Sequence, residues 1–300
     1  MKIFDFKDID THYLLVLFGL QLIIKHKSKF KYKPATEIGI TKEKRNPQLI
    51  VSLTSFPDRI NDVHVTINTL LRQSVKPDRL ILWLAEEQFL NKEKDLPQNL
   101  LELKSLGLEI MWCEDLKSYK KLVPTVKKYP NDIVVTADDD LYYKEDWLEG
   151  LYNAYLRNPN IVQTRRGCRI KILNDKITVL KPRNYNFDYN FPTDFNNLLM
   201  GGAGTLYPPN SLHKDIFNIE QIKKLIPTHD DIYFWLMVIL NNVKIGVVGG
   251  FDYSLFYTES AKNEGLCKQN TNIGNGMSPN QAFRKIEEKY PEIINKLKEN

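Results

Sequence analysis

Three consecutive aspartates, Asp138, Asp139 and Asp140, close the stretch "DIVVTADDD" at residues 132–140. Like charges repel, and carboxylates resist leaving water, so an acid triplet at the end of an apolar strand needs a physical reason. A solvated acidic turn is one. A divalent cation that holds the acids together is the other. Alternate residues of a strand face one side, so Asp138 and Asp140 project together while Asp139 turns away. Carboxylate oxygens suit Mg²⁺ or Mn²⁺, ions that keep waters and share a substrate's phosphates.

A second pair of acids, Asp230 and Asp231, opens the apolar stretch "THDDIYFWLMVILNN" at 228–242. Capping and the helix dipole alone favour acids there. Either carboxylate could also act as a general base on an acceptor hydroxyl. His229 beside them is a capping or packed residue before it is a ligand. In "SLTSFPDRI" (52–60), Thr54, Ser55 and Arg59 offer hydroxyl, backbone and guanidinium groups to a base and a pyrophosphate. The plainer alternative is a capping turn with Arg59 paired to a local acid. In "KSYKKL" (117–122), Lys120 and Lys121 could balance a diphosphate, or one of them could lie on a solvated face. The glycines of "GGAGTLYPP" (201–209) fit a tight turn or a wall of a sugar pocket. Neither GxGxxG nor GxxxxGK[ST] occurs, so a phosphate ligand would depend on its metal.

These residues need elements to place them. Buried strands are expected at 48–56, 79–85, 108–113 and 132–137. Helices are expected at 61–74, capped by Asn61, at 96–107 with a closing glycine, at 116–130 interrupted at Pro124, and at 145–159. This alternation implies βα units and a mainly parallel sheet, with Thr54, Ser55 and the aspartates facing one crevice at the carboxyl ends of their strands. Further on come a strand and a hairpin around Asn174–Asp175, and an aromatic loop at 184–195 carrying Tyr185, Phe187, Tyr189 and Phe191. Rings of that kind stack on sugar faces or pack as a small core. After the helix capped by Thr228, a strand follows at 243–250 and a polar helix pair at 278–300.

At 300 residues with 42% apolar and 26% charged side chains, the chain can bury a full globular core. Its net charge of +5 is too diffuse to argue for nucleic acid. Cys113, Cys168 and Cys267 form no CxxC pair and no HExxH occurs, so neither a zinc site nor a disulfide frame is expected, and a reducing cytoplasm fits. The apolar run at 13–24 is too short to span a bilayer, which takes about 20 residues. With "KHKSKFKYK" (25–33) after it, the segment suits an anionic membrane surface, or a helix packed on the domain before a basic loop.

The ordered set "SLTSFPDRI", "DLKSYKKL", "VVTADDD", "GGAGTLYPP" and "HDDIYFW" resembles nucleotide-sugar-dependent glycosyltransferases of the GT-A fold. It looks closest to the family-2-like bacterial enzymes that build surface polysaccharides and lipooligosaccharides. The resemblance covers roughly residues 48–250. It implies an α/β, Rossmann-like GT-A fold, with a mainly parallel sheet flanked by helices and a small antiparallel element in the second half. An apolar and basic segment (1–47) would precede a catalytic domain (48–255), split into nucleotide-binding (48–145) and acceptor (146–255) halves, before a loop and helical tail (256–300). It implies Mn²⁺ or Mg²⁺ on Asp138 and Asp140. The donor, a UDP-sugar, would lie on Thr54, Ser55, Arg59, Lys120 or Lys121, Asp138, Asp139 and Gly202. The glycine turn would line the junction of donor and acceptor. Asp231 falls where the family's catalytic base stands, but the motif's Glu-Asp reads Asp-Asp here, so the resemblance leaves the base as either Asp231 or Asp230. A base implies inversion; a sugar-binding acid leaves retention open. The implied acceptor is an oligosaccharide or lipid-linked glycan, met in the cytoplasm or at the inner face of the cytoplasmic membrane. No QxxRW-type segment occurs, which speaks against a processive polymerase. A sugar-phosphate nucleotidyltransferase would want a glycine-rich loop where "LTSFPDRI" has no glycine. A non-catalytic carbohydrate-binding protein would not need both acid pairs.

Overall fold

The computed structural model describes residues 30–180, 191–248, 256–258, 261 and 277–298, with the backbone of three earlier strands. Those strands, β1 (Phe4–Ile9), β2 (His12–Leu17) and β3 (Leu20–Lys25), form an antiparallel meander. Most of the apolar run 13–24 therefore folds back on itself, with Leu17 paired to Leu20 and Tyr13 to Ile24, and is not a helix. Its density of Leu, Ile and Val is compatible with either state.

The four runs expected as strands are β4 (Leu49–Thr54), β5 (Arg79–Ala85), β6 (Leu108–Cys113) and β7 (Ile133–Thr136). The chain then passes through β8 (Leu141–Tyr142), β9 (Val162–Thr164), β10 (Gly167–Leu173), β11 (Lys176–Val179), β12 (Asn197–Leu199), β13 (Thr205–Tyr207), β14 (Ile245–Val247) and β15 (Phe256–Tyr257). A seven-stranded sheet runs in the order β14-β9-β13-β7-β4-β5-β6. β4, β5, β6 and β7 are mutually parallel, β13 opposes both β7 and β9, and β14 runs with β9. Within this sheet, β13 runs against the other six strands. Small antiparallel sheets, β11-β10-β12 and β15-β8, complete the mixed α/β, Rossmann-like arrangement.

That topology places the site. In parallel strands the carboxyl ends share one edge, so β4 and β7 both deliver their following residues there. Because β13 is reversed, its amino end reaches the same edge, and Thr205 pairs with Thr136. The glycine turn before β13 thus meets the aspartates after β7.

The helices are α1 (Val63–Leu71), α2 (Gln98–Glu102), α3 (Val123–Lys128), α4 (Trp147–Arg157), α5 (Ile219–Leu225), α6 (Asp230–Leu240), α7 (Pro279–Lys289) and α8 (Glu292–Lys298). Strand alternation splits the core between the two sheet faces. Leu49, Val51, Leu53, Ile133, Val135 and Leu206 pack with α1, α2 and α4. Val134 and Tyr207 pack on the opposite face with α6, α7 and α8. A buried Leu or Ile contributes about 1.5–3 kcal/mol, so both layers are substantial.

Several local expectations change. The first turn of α1 starts after Asp62, not Asn61, and neither side chain caps it. Pro124 stands at the start of α3, where its missing N–H costs nothing, after a 3₁₀ turn over Lys117–Lys121. Helix α6 begins after His229 rather than at Thr228. The terminal helix pair is polar on one face only. Ser278 and Gln281 form a capping box, and Ala282, Phe283, Ile286, Ile293 and Leu297 are buried against the core. The Phe283 ring meets Trp235 edge-on at 6.0 Å. Among the described residues, no helix is long and apolar enough to cross a membrane.

Candidate functional site

The aspartate turn is fixed from beneath by Asp139. Its carboxylate accepts the Ser55 hydroxyl at 2.6 Å and the Arg59 guanidinium at 2.6 Å. Its carbonyl accepts the Thr66 hydroxyl of α1 at 3.0 Å. Ser55, Arg59 and Asp139 are all buried. Asp139 therefore turns into the protein; β7 ends at Thr136, so the turn and these bonds, not strand alternation, set its direction. Arg59 also reaches Asp140, at 2.9 Å. The Thr54 hydroxyl donates to the Trp83 carbonyl at 2.9 Å. The structure thus gives Ser55, Arg59 and Asp139 a joint positioning role, and ties Thr54 to the neighbouring strand β5.

Asp138 and Asp140 remain. The Asp138 carboxylate is a third exposed and accepts the Lys121 ammonium at 2.7 Å. Its backbone N–H donates to the Tyr143 hydroxyl at 2.8 Å, and that hydroxyl donates to the Gly202 carbonyl at 2.9 Å. Burial and the neighbouring Asp138 charge push the Asp140 carboxyl up to about 6, against the pull of Arg59.

The two lysines separate. Lys120 is buried on Asp115, at 2.6 Å. Lys121 points into the acids, 2.7 Å from Asp138 and 2.8 Å from Asp230. Burial works against its charge, but Asp138, Asp230 and Asp231 together hold its pKa well above the usual lysine value. Asp230 also accepts the Ser118 hydroxyl at 2.9 Å. Asp231 accepts the Gly201 N–H at 3.0 Å. Burial, then the Asp230 charge beside it, raise the Asp231 carboxyl to about 7. The His229 Nε2 lies 2.6 Å from the Met277 carbonyl.

The glycine turn makes the approach possible. A Cβ at Gly201 would stand 2.5 Å from an Asp231 oxygen, and one at Gly202 would stand 2.6 Å from an Asp138 oxygen. Gly204 adopts φ +106°, and its Cβ would enter the Trp147 indole. That indole donates to the Ala203 carbonyl at 2.7 Å. Tyr143, Trp147, Ser118 and Thr66 were not singled out by sequence reasoning. The closeness of Tyr143 and Trp147 to the aspartates in the chain was the one available signal.

Among the described residues, no group of three or more His, Cys, Asp or Glu is arranged to hold a metal. A cation here would rest on Asp138 and Asp140 and complete its shell from water and ligand. The charge balance fits that: Asp138, Asp139, Asp140, Asp230 and Asp231 cluster around the cations Arg59 and Lys121. An excess of negative charge is what a divalent ion offsets. The aromatic loop falls largely outside the described residues. Phe191 lies within them, with the Arg169 guanidinium 5.8 Å from its ring centre. Cys113 and Cys168 are free, half-buried thiols, and burial raises Cys113 to about 12, far from a reactive thiolate.

No protein-family model matches the chain, and no curated protein matches it. Among solved structures the chain is similar to CMP:2-keto-3-deoxy-manno-octonic acid synthetase complexed with CTP, at 12% identity and a TM-score of 0.40, over 75% of this chain and 98% of that one. It is also similar to S. aureus TarS 1–349, at 13% identity and a TM-score of 0.45, over 72% of this chain and 61% of that one. Both likenesses are distant, and the chemistry of the site rests on its own geometry.

Proposed function

We propose that the protein is a metal-dependent glycosyltransferase that moves a sugar from a nucleoside-diphosphate donor to a hydroxyl of a glycan acceptor. One observation carries this reading. Two acid pairs, Asp138/Asp140 and Asp230/Asp231, are drawn to one glycine turn and joined by the buried Lys121. The first pair suits a cation shared with donor phosphates, and the second suits an acceptor hydroxyl.

Asp138 and Asp140 would hold the Mn²⁺ or Mg²⁺, which when bound neutralises charge building on the leaving diphosphate. Arg59 and Ser55 fix the turn that presents these acids. Asp231 acts as the base. With its carboxyl raised to about 7, it is poised to take a proton near neutral pH. Asp230, bonded to Lys121 and Ser118, orients that cluster. The donor reading of Lys121 becomes a bridging one, while Lys120 is buried in an ion pair with Asp115. Glycine in the turn leaves room for the anomeric centre between the acid pairs. Deprotonation by Asp231 and attack from the acceptor side lead to inversion.

Release of free sugar from a panel of nucleotide sugars, with and without Mn²⁺, tests this. Metal-dependent hydrolysis of one donor, lost in Asp231→Asn and Asp140→Ala, supports it. Cleavage of a nucleoside triphosphate by a sugar phosphate, with release of pyrophosphate, would assign a nucleotidyltransferase instead.

A further inference from the structure

Tyr142 follows Asp140 by two residues, and its ring is stacked on Phe30 at 4.8 Å and 16°. Tyr32 leans on the same ring at 6.0 Å, and Phe30 meets Phe256 at 5.4 Å. The pairing of β8 with β15 builds this cluster, because Tyr142 lies opposite Phe256 on one face of the ribbon. The next residue, Thr258, donates its N–H to the Asp140 carbonyl at 2.8 Å. Phe30 and Tyr32, at the end of the basic segment 25–33, are therefore docked on Tyr142, two residues beyond the aspartate turn.

The cluster is not a closed core. Tyr32 is 37% exposed. Lys31 and Lys33, on either side of Tyr32, are exposed, and the Lys144 ammonium stands 5.6 Å from the Phe256 ring centre. Exposed aromatic faces with lysines around them match a ligand that has flat, weakly polar faces and negative substituents. A sugar ring has such faces, and a carboxylate or phosphate supplies the charge.

Resting on the glycosyltransferase reading, we infer that Phe30, Tyr32 and Tyr142 form a ledge for an anionic saccharide acceptor, with Lys31 and Lys33 facing its acidic groups. The amino-terminal segment thereby becomes part of the acceptor site. Exposed lysines and tyrosines also suit an anionic bilayer. The saccharide is favoured because the rings are anchored within two residues of Asp140 and not on a free end of the chain.

The test measures binding of the full-length protein to a uronic-acid-containing hexasaccharide, to neutral cellohexaose, and to phosphatidylcholine–phosphatidylglycerol vesicles. Affinity for the uronic hexasaccharide should exceed that for cellohexaose. It should fall about tenfold in Tyr32→Ala, be retained in Tyr32→Phe, and fall with loss of salt dependence in a Lys31→Glu, Lys33→Glu double variant. The nucleotide-dependent rise in melting temperature should persist in Tyr32→Ala. An absence of saccharide binding by the native protein, or binding indifferent to Tyr32→Ala, overturns the inference. Vesicle binding lost in these variants while saccharide binding is kept assigns the ledge to a membrane and also overturns it. Saccharide binding through Tyr32 without any nucleotide response in the native protein keeps the ledge and removes the glycosyltransferase reading.

Discussion

The Lys121 ammonium lies 2.7 Å from the Asp138 carboxylate, with its side chain only 5% exposed. The same nitrogen is 2.8 Å from Asp230, so one buried cation ties the turn after β7 to the start of α6. Removing one partner of a buried ionic group leaves the others uncompensated, which costs about 3–5 kcal/mol. Lys121→Met should lose stability on that scale, read from urea unfolding midpoints. Lys104→Met, which breaks only the exposed contact with Glu93, should change little.

The glycines of the turn should separate geometry from stability. At Gly201 and Gly202 an added methyl meets the ends of the Asp231 and Asp138 side chains, which can shift. Gly201→Ala should therefore keep the fold by circular dichroism but lower donor turnover about a hundredfold, since the reacting groups are misplaced. At Gly204 the methyl meets the buried Trp147 ring at a positive φ. Gly204→Ala should destabilise by about 1–3 kcal/mol whatever it does to turnover.

Asp140 and Asp231 give stability and activity opposite pH slopes. Both folded-state values, about 6 and about 7, are raised above the ordinary carboxylate value. A raised carboxyl contributes stability that is full below about pH 4 and is lost as pH climbs through the folded value. Metal-free protein should thus lose stability between about pH 4 and 7, and Asp231→Asn should flatten the upper part of that window. Turnover should rise through about pH 7 as Asp231 loses its proton. Protons compete with the cation for Asp140, so Mn²⁺ should bind more weakly below about pH 6.

Phe283 of α7 is fully buried against Trp235. Phe283→Ala should cost about 3–5 kcal/mol in a denaturant titration.

The fold was legible wherever hydrophobic period and strand burial agreed. The runs at 79–85 and 108–113 appear as β5 and β6 with the same bounds; β5, inside the sheet, is buried nearly throughout, and the edge strand β6 is mostly half-buried but keeps an apolar run. Asn174 and Asp175 announced the β10–β11 hairpin and take φ of 51° and 57° there. The meander before residue 26 was not legible, since its apolar run carries no period that separates strand from helix. The terminal pair read as polar because Phe283 and Ile286 are outnumbered by charges on the other face of α7. In the site, both acid pairs and the glycine turn could be picked out by type. The division of labour between Lys120 and Lys121 could not, because adjacent residues differ only in which way the 3₁₀ turn aims them. The burial of Ser55 and Arg59 on Asp139 likewise depends on β4 lying beside β7, a long-range pairing that no local window contains.

The most direct measurement is the melting temperature against a panel of nucleoside diphosphates, with and without Mn²⁺, in the native protein and in Asp140→Ala. A ligand that binds the native state at a hundred times its Kd adds about 2.7 kcal/mol, enough for a clear shift. A rise with one nucleotide that requires the metal and disappears in Asp140→Ala is the expected result. A folded native protein that responds to no nucleotide, with or without Mn²⁺, would contradict the donor site at Asp138 and Asp140.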